Sequence, residues 1–407
     1  MNTNRRMFMS GIVGGLGFWS FGRKIAFAST TRNSQPARRC LILWMNGGPS
    51  QFETFDPKRS TSTGGSTGSV STSIPGLEFS ANLPRLAQSA SNLCVIRSLQ
   101  SNEGQHDRAS YLHHTGFTPV AAFPRPELGS LIAHRWHDTT LPPLVTLGGQ
   151  GYGPAYLGDQ FLSLEIDDPR KMIALLKRLE DGKSRLTMID RFSHSFDSRY
   201  GQRPVAHRRA TLRQIETILD SPLRQLLDVN AEPTSVRQRY NSDNFSQRVL
   251  AARRLLEGGV SCVEVRLDGW DTHQDNFRQS AQLCAPLDSA WTTLMEDLKA
   301  SGMWDETLIV WIGDFGRTPT INGRMGRDHF PSICNVVLAG GCVHGGSFIG
   351  ETNDHGTEIV DQPVSSADVF ATILDRIGIP PDASYQTTFG SPTEATDGGR
   401  IIPGVAS

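Results

Sequence analysis

Six short apolar runs, at 40–45, 93–97, 144–147, 261–267, 308–312 and 335–339, constrain the fold of this chain more than any other feature. Each is continuous instead of alternating, which is the pattern of strands covered on both faces. Other segments, at 246–257, 279–300 and 366–377, carry apolar residues at three- and four-residue steps and read as amphipathic helices. Strands alternating with helices predict the α/β class: a doubly wound, mostly parallel sheet flanked by helices.

A sheet of that kind holds its ligand beyond the carboxyl ends of its strands, so polar residues just after an apolar run are the candidates. Four places qualify. After the first run, Asn46, Glu53 and Asp56 offer oxygen atoms and Ser50 a hydroxyl; Gly47-Gly48 allows either close backbone approach or a plain tight turn. After the second, His106-Asp107-Arg108 leads into Ser110, His113 and His114 near an expected helix start, a cluster friendly to anions.

After the fourth run, Asp271 and His273 are two apart, so in an extended segment they share one side and can grip one ion. Carboxylate with imidazole suits zinc, iron or manganese better than calcium. Asp314 ends the most apolar run, where a carboxylate is costly unless it binds metal or pairs with Arg317. His329 is a further ligand candidate with Asp328 beside it, while Arg317 and Arg327 have the fork geometry to hold an oxyanion.

The remaining sequence bounds the setting. Asn4-Arg5-Arg6-Met7-Phe8-Met9, a short apolar run and Ala26-Phe27-Ala28 read as a twin-arginine export signal over residues 1–28. The expected mature chain, 29–407, is long enough for one large domain, with a polar helical insertion at about 185–239. Residues 57–76, rich in Ser, Thr and Gly, read as a surface loop. Lys+Arg 40 against Asp+Glu 41 gives a net charge of −1, which excludes a long-range field for nucleic acid or anionic membrane. No other stretch is apolar enough to span a membrane. The six cysteines are scattered without a close pair and read as small buried hydrophobes.

With these residues in view, the chain resembles a family of exported bacterial proteins, common in planctomycetes, whose function is unknown. The resemblance spans nearly the whole mature chain. It is carried by the twin-arginine start, Gly47-Gly48-Pro49-Ser50-Gln51, Phe55-Asp56-Pro57-Lys58, Ala252-Arg253-Arg254-Leu255, Gly269-Trp270-Asp271-Thr272-His273, Asp314-Phe315-Gly316-Arg317 and Gly326-Arg327-Asp328-His329. That family is similar in turn to the alkaline phosphatase and sulfatase superfamily.

The resemblance implies an alkaline phosphatase-like fold in which Asp271, His273, Asp314 and His329 are metal ligands. His106, at the place of the superfamily nucleophile, is implied as a covalent acceptor, a ligand or a general acid, with Arg108, Arg317 and Arg327 as its catalytic companions. Asn46, Ser50 and His114 are implied as substrate contacts. Asn46 and Phe315 depart from the superfamily pattern, where an acidic ligand and a His would stand, so one divalent ion is expected. The expected activity is hydrolysis of a small phosphate or sulfate ester or a sulfated or phosphorylated glycan, outside the cytoplasm. The other reading is a non-catalytic module that binds carbohydrate or a partner protein. Oligomeric state is left open.

Overall fold

A computed structural model describes residues 35–136, 140–181, 215, 217–387 and 389–406. The proposed export signal at 1–28 and the 185–214 portion of the expected insertion lie outside the described residues. The sheet contains β1 (Arg39–Asn46), β2 (Leu93–Gln100), β3 (Leu144–Leu147), β4 (Leu164–Ile166), β5 (Cys262–Asp268), β6 (Thr307–Gly313), β7 (Cys334–Gly340), β8 (Ser347–Ile349) and β9 (Val364–Ser365). Its order is β8-β2-β7-β6-β1-β5-β3-β4, with β9 also paired to β2. Every pairing is parallel except those of β7 with β2 and β6. All six apolar runs are strands, and the three short strands added to them lie in segments without a comparable run.

The continuous apolar character of β1 has a simple cause. Successive side chains of a strand point to opposite faces. Leu41, Leu43 and Met45 join a core with Val249, Leu256, Leu287 and Trp291, while Cys40, Ile42 and Trp44 join another with Leu131, Val369, Phe370 and Ile373. The first core lies under α4 (Asn244–Glu257) and α5 (Asn276–Ala300). The second lies under α2 (Leu128–Arg135) and α6 (Ser366–Ile377), where α1 (His106–Thr115) also packs; α3 (Pro169–Asp181) is a peripheral helix. Helices on both faces make the sheet doubly wound.

Helix ends follow local chemistry. Ser365 Oγ accepts from Asp368 N at 3.1 Å, and Asp368 Oδ2 accepts from Ser365 N at 3.0 Å, a reciprocal cap that starts α6 at the expected residue. Residues 57–76 depart from the plain surface loop expected of them. Ser69–Ser71 pairs with Glu78–Ser80, and the Thr63 carbonyl accepts from Arg327 at 2.7 Å. In the described part of 185–239, Arg239 meets Asp297 at 2.6 Å and Glu296 at 2.9 Å, so it is tied to α5 instead of facing water alone. No helix among the described residues is long and apolar enough to cross a membrane. Five of the six cysteines are buried, as small hydrophobes are.

Candidate metal centre

β1 lies mid-sheet, with β2, the next strand along the chain, on one side of it and β3, the one after, on the other. Ligand crevices in such sheets open outside the carboxyl ends at this reversal. The loops leaving β1, β5 and β6 carry Gly47, Asp271 and Asp314. They can converge because Gly47 has a φ of 110° and a Cβ there would stand 2.5 Å from Asp271 N. Gly326 serves the same end, since a Cβ would lie 2.0 Å from the His273 carbonyl oxygen. A ribbon of Gly316–Arg317 against His329–Phe330 sets His329 opposite Arg317, and His106 is the first residue of α1.

Four side chains meet. Asp271 Oδ1 is 3.4 Å from His106 Nε2, 3.2 Å from His273 Nε2 and 3.3 Å from His329 Nε2. The His273 and His329 Nε2 atoms are 2.9 Å apart. The other nitrogen of each ring already has a partner. His106 Nδ1 lies 2.6 Å from Asp314 Oδ2, His273 Nδ1 lies 2.7 Å from Asp328 Oδ1, and His329 Nδ1 lies 2.9 Å from the Gly104 carbonyl.

These partners accept only, so each Nδ1 is assigned the proton and each neutral ring turns a lone pair to the common point. Lone pairs facing one another and a carboxylate repel unless a proton or a metal cation lies among them. His106 Nε2 is shielded from solvent and has no hydrogen-bond partner. Ligands about 2.0–2.1 Å from a tetrahedral ion stand about 3.3–3.4 Å apart, and the three nitrogen-to-Asp271 spacings are close to that. His106, Asp271 and His329 place ligand atoms within 4.8 Å of one another, and His273 Nε2 lies beside them, 3.2 Å from Asp271. The residues fit one divalent ion.

Charges around the point are graded. The Asp314 hydrogen bond holds the His106 imidazole above its ordinary range despite burial, whereas burial pushes His329 below it. Burial alone would raise Asp271, but the Arg317 hydrogen bond and charge, with His106 and His273, hold it low. The hydrogen bond from His273 keeps Asp328 low as well. Phe315 is buried with its ring centroid 4.9 Å from that of His106 and 4.4 Å from that of His329, an apolar wall behind both imidazoles.

Arg317 has a fully buried side chain. It donates to Asp271 Oδ1 at 2.7 Å, the Gly48 carbonyl at 2.9 Å, the Trp270 carbonyl at 3.1 Å and the Arg327 carbonyl at 3.3 Å, and also to the Gly47 carbonyl. Arg327 is equally buried. It pairs with the fully buried Glu53 at 3.0 Å and donates to the Thr318, Pro319 and Thr63 carbonyls at 3.0, 2.8 and 2.7 Å. Neither guanidinium turns a free donor outward to an oxyanion, contrary to the expectation from their fork geometry. Both hold loops instead.

The structure thus brings together His106, Asp271, His273 and His329, and moves Asp314 behind them. Asp314 Oδ2 accepts from Gly47 N at 3.1 Å and from His106, while Oδ1 accepts from Ser110 Oγ at 2.8 Å, so Asp314 positions His106 and is not turned to the common point. Arg108 makes a double hydrogen bond to Glu103, at 2.7 and 2.6 Å. Asn46 borders the crevice, donating to Asp268 Oδ1 at 2.8 Å. Ser50 is buried in the turn after β1 with its Oγ unpartnered. His114 is buried away from the point, with Nε2 3.1 Å from Glu264 and Nδ1 2.7 Å from the Ser110 carbonyl, two acceptors that call for an imidazolium. Glu53 and Asp56 are not available as ligands, since Asp56 meets Lys58 at 3.0 Å. The parts of Ser110 and the Gly104 carbonyl carry no signal in the sequence.

The sequence matches the family described as "Protein of unknown function (DUF1501)" over residues 37–406, so the chain belongs to that family. No curated protein matches it. Among solved structures it is similar to Ps i-CgsB, with a TM-score of 0.42 and 11% identity over 85% of this chain and 72% of that one. It is similar to a protein in the alkaline phosphatase superfamily from Vibrio parahaemolyticus, at 0.40 and 13% over 88% and 72%. A third is the zinc complex of the C-terminal periplasmic domain of EcEptC from Escherichia coli, at 0.41 and 12% over 85% and 84%. With TM-scores below 0.5, these likenesses support no statement about the chemistry of this chain.

Proposed function

We propose that this member of the DUF1501 family is an exported hydrolase of phosphate or sulfate esters, alkaline phosphatase-like, that works with one divalent ion. The observation that carries the reading is the set of three imidazole lone pairs and one carboxylate turned to one point at the carboxyl edge of the sheet. An ion held by His106, Asp271, His273 and His329 supplies Lewis acidity toward an ester oxygen and acidifies water. Three imidazoles with a carboxylate suit zinc, iron or manganese.

The chain's own residues orient this centre. Asp314, Asp328 and the Gly104 carbonyl fix the three rings, and Arg317 holds Asp271 by one oxygen. In this reading Asn46, bonded to Asp268, and Arg108, paired with Glu103, serve the approach of the ester. Water is the nucleophile in this reading, because the Ser110 hydroxyl is engaged with Asp314 and His106 faces the common point. The engagement of Asp314 and the packing of Phe315 support one ion instead of two. The Arg5-Arg6 start supports twin-arginine export to the periplasm or beyond.

Elemental analysis of the purified protein beside an Asp271→Ala/His329→Ala variant, with a screen of phosphate and sulfate esters, tests the reading. One bound ion per chain is expected, lost in the variant together with turnover. Turnover that survives both substitutions would overturn it. The engagement of Arg317 and Arg327 favours a second reading, a module that keeps the ion but binds carbohydrate or a protein partner without catalysis. A full complement of metal with no ester turned over would select that one.

A further inference from the structure

The structure holds an aromatic cleft whose lining contains none of the metal-centre residues. Its volume is about 330 Å³, and its lining includes Phe123, Arg125, Tyr156, Phe389 and Thr393. Small-ligand sites span roughly 300–1,000 Å³. Phe123 is 54% exposed and Phe389 78% exposed. Large rings standing in water at the rim of a cleft mark an interaction site. The polar part of the lining is mostly hydroxyl, from Tyr156, Thr393 and their neighbours Thr387 and Ser391. Arg125 is the one charged group among the described lining residues, and it is bonded to Thr393 and lies 4.1 Å from the Phe117 ring centroid.

Ring faces with hydroxyls and little charge form the chemistry that recognises a sugar. The C–H face of a pyranose lies on an aromatic ring, and its hydroxyls exchange hydrogen bonds with Tyr, Thr and Arg. An anionic lipid surface calls for a basic rim, which this lining lacks.

α1 joins the cleft to the metal centre. From His106 to Tyr111 the helix rises about 7.5 Å. The Tyr111 hydroxyl accepts from Arg125 N at 2.8 Å, and its ring centroid lies 5.7 Å from that of Tyr152. The Tyr152 ring centroid lies 4.8 Å from that of His114, whose Nδ1 is 2.7 Å from the carbonyl of Ser110, and Ser110 Oγ donates to the same Asp314 that holds His106. α1 thus runs from the first residue at the ion site to the tyrosine that Arg125 of the cleft lining bonds.

We propose that the cleft binds an oligosaccharide and presents one ester-bearing unit of it to the metal centre. The ester rests on the hydrolase reading; the sugar binding does not. The test is titration calorimetry of the full chain with cellohexaose, chitohexaose and agarohexaose, with and without chelator, for the wild type and for Phe123→Ala/Phe389→Ala. At least one hexaose binds, chelator leaves binding intact, and the double variant weakens it tenfold or more while keeping wild-type melting temperature, metal content and nitrophenyl ester turnover. Binding without ester turnover upholds the cleft and removes only the hydrolase reading. Failure of all three hexaoses to bind, or binding undiminished in the variant, overturns the proposal. So does binding of phosphatidylcholine vesicles in place of the sugars, which would assign the surface to lipid.

Discussion

Replacing Asp314 distinguishes a ligand from a residue that positions a ligand. Asp314 Oδ2 accepts from Gly47 N and His106 Nδ1, and Oδ1 accepts from Ser110 Oγ. In Asp314→Asn the amide oxygen can keep Gly47 and His106 while the amide NH₂ donates to Ser110 Oγ, so the ring keeps its tautomer and loses only the charge behind it. Losing such a supporting partner weakens metal binding about 10–100-fold. Apparent zinc affinities of about 10–16 kcal/mol shared over four ligands put a true ligand at roughly 2.5–4 kcal/mol, about 10²–10³-fold. Competition against a chromophoric chelator, with wild type, Asp314→Asn and Asp271→Ala side by side, reads both values. The expected order is a modest loss for Asp314→Asn and a loss about tenfold larger for Asp271→Ala. Equal losses would refute the placement of Asp314 behind His106.

Two further outcomes follow from the same geometry. Glu53→Gln strands the fully buried Arg327 without its counter-charge, which costs about 3–5 kcal/mol; at about 2.1 cal/mol/K per residue over some 370 residues, melting falls by roughly 4–6 °C. A melting temperature within about 1 °C of wild type in differential scanning calorimetry would contradict the role given to this pair. Metal affinity is full at high pH and declines as pH falls, because protons compete for each Nε2. His106, held above the usual imidazole range by Asp314, takes up its proton first, and His329, depressed by burial, takes it last. Metal titrations at stepped pH should therefore show the decline starting above about pH 6.5 and starting lower in Asp314→Asn; a flat profile between about pH 5 and pH 8 would refute the ligand set.

Much of the fold is legible in the sequence because a strand buried on both faces is made mostly of apolar residues. β1 and β6 announce themselves for that reason, and Ser365 with Asp368 marks the start of α6 through side-chain chemistry that is local. β4, β8 and β9 are too short to show a pattern. At the site, residue types at strand ends single out Asp271, His273 and His329 as candidate ligands, but not which atom faces which. Asp314 stands behind His106 and not among the facing groups, because a carboxylate at a strand end looks the same whether it meets an ion or an imidazole. Arg317 and Arg327 mislead for a related cause. A guanidinium suits an oxyanion and a cluster of carbonyls equally, and only the close approach permitted by Gly47 and Gly326 gathers those carbonyls.

Arg317 carries a consequence for anyone who would alter this protein. Its guanidinium touches segments at 47–48, 270–271 and 327, which come from three separate stretches of the chain. Groups that share one partner do not respond independently to change. A loop transplanted from a relative, or a single segment redesigned for a new metal, would arrive at a junction shaped for three. The smallest transferable unit of this centre is the whole edge of the sheet, taken at once.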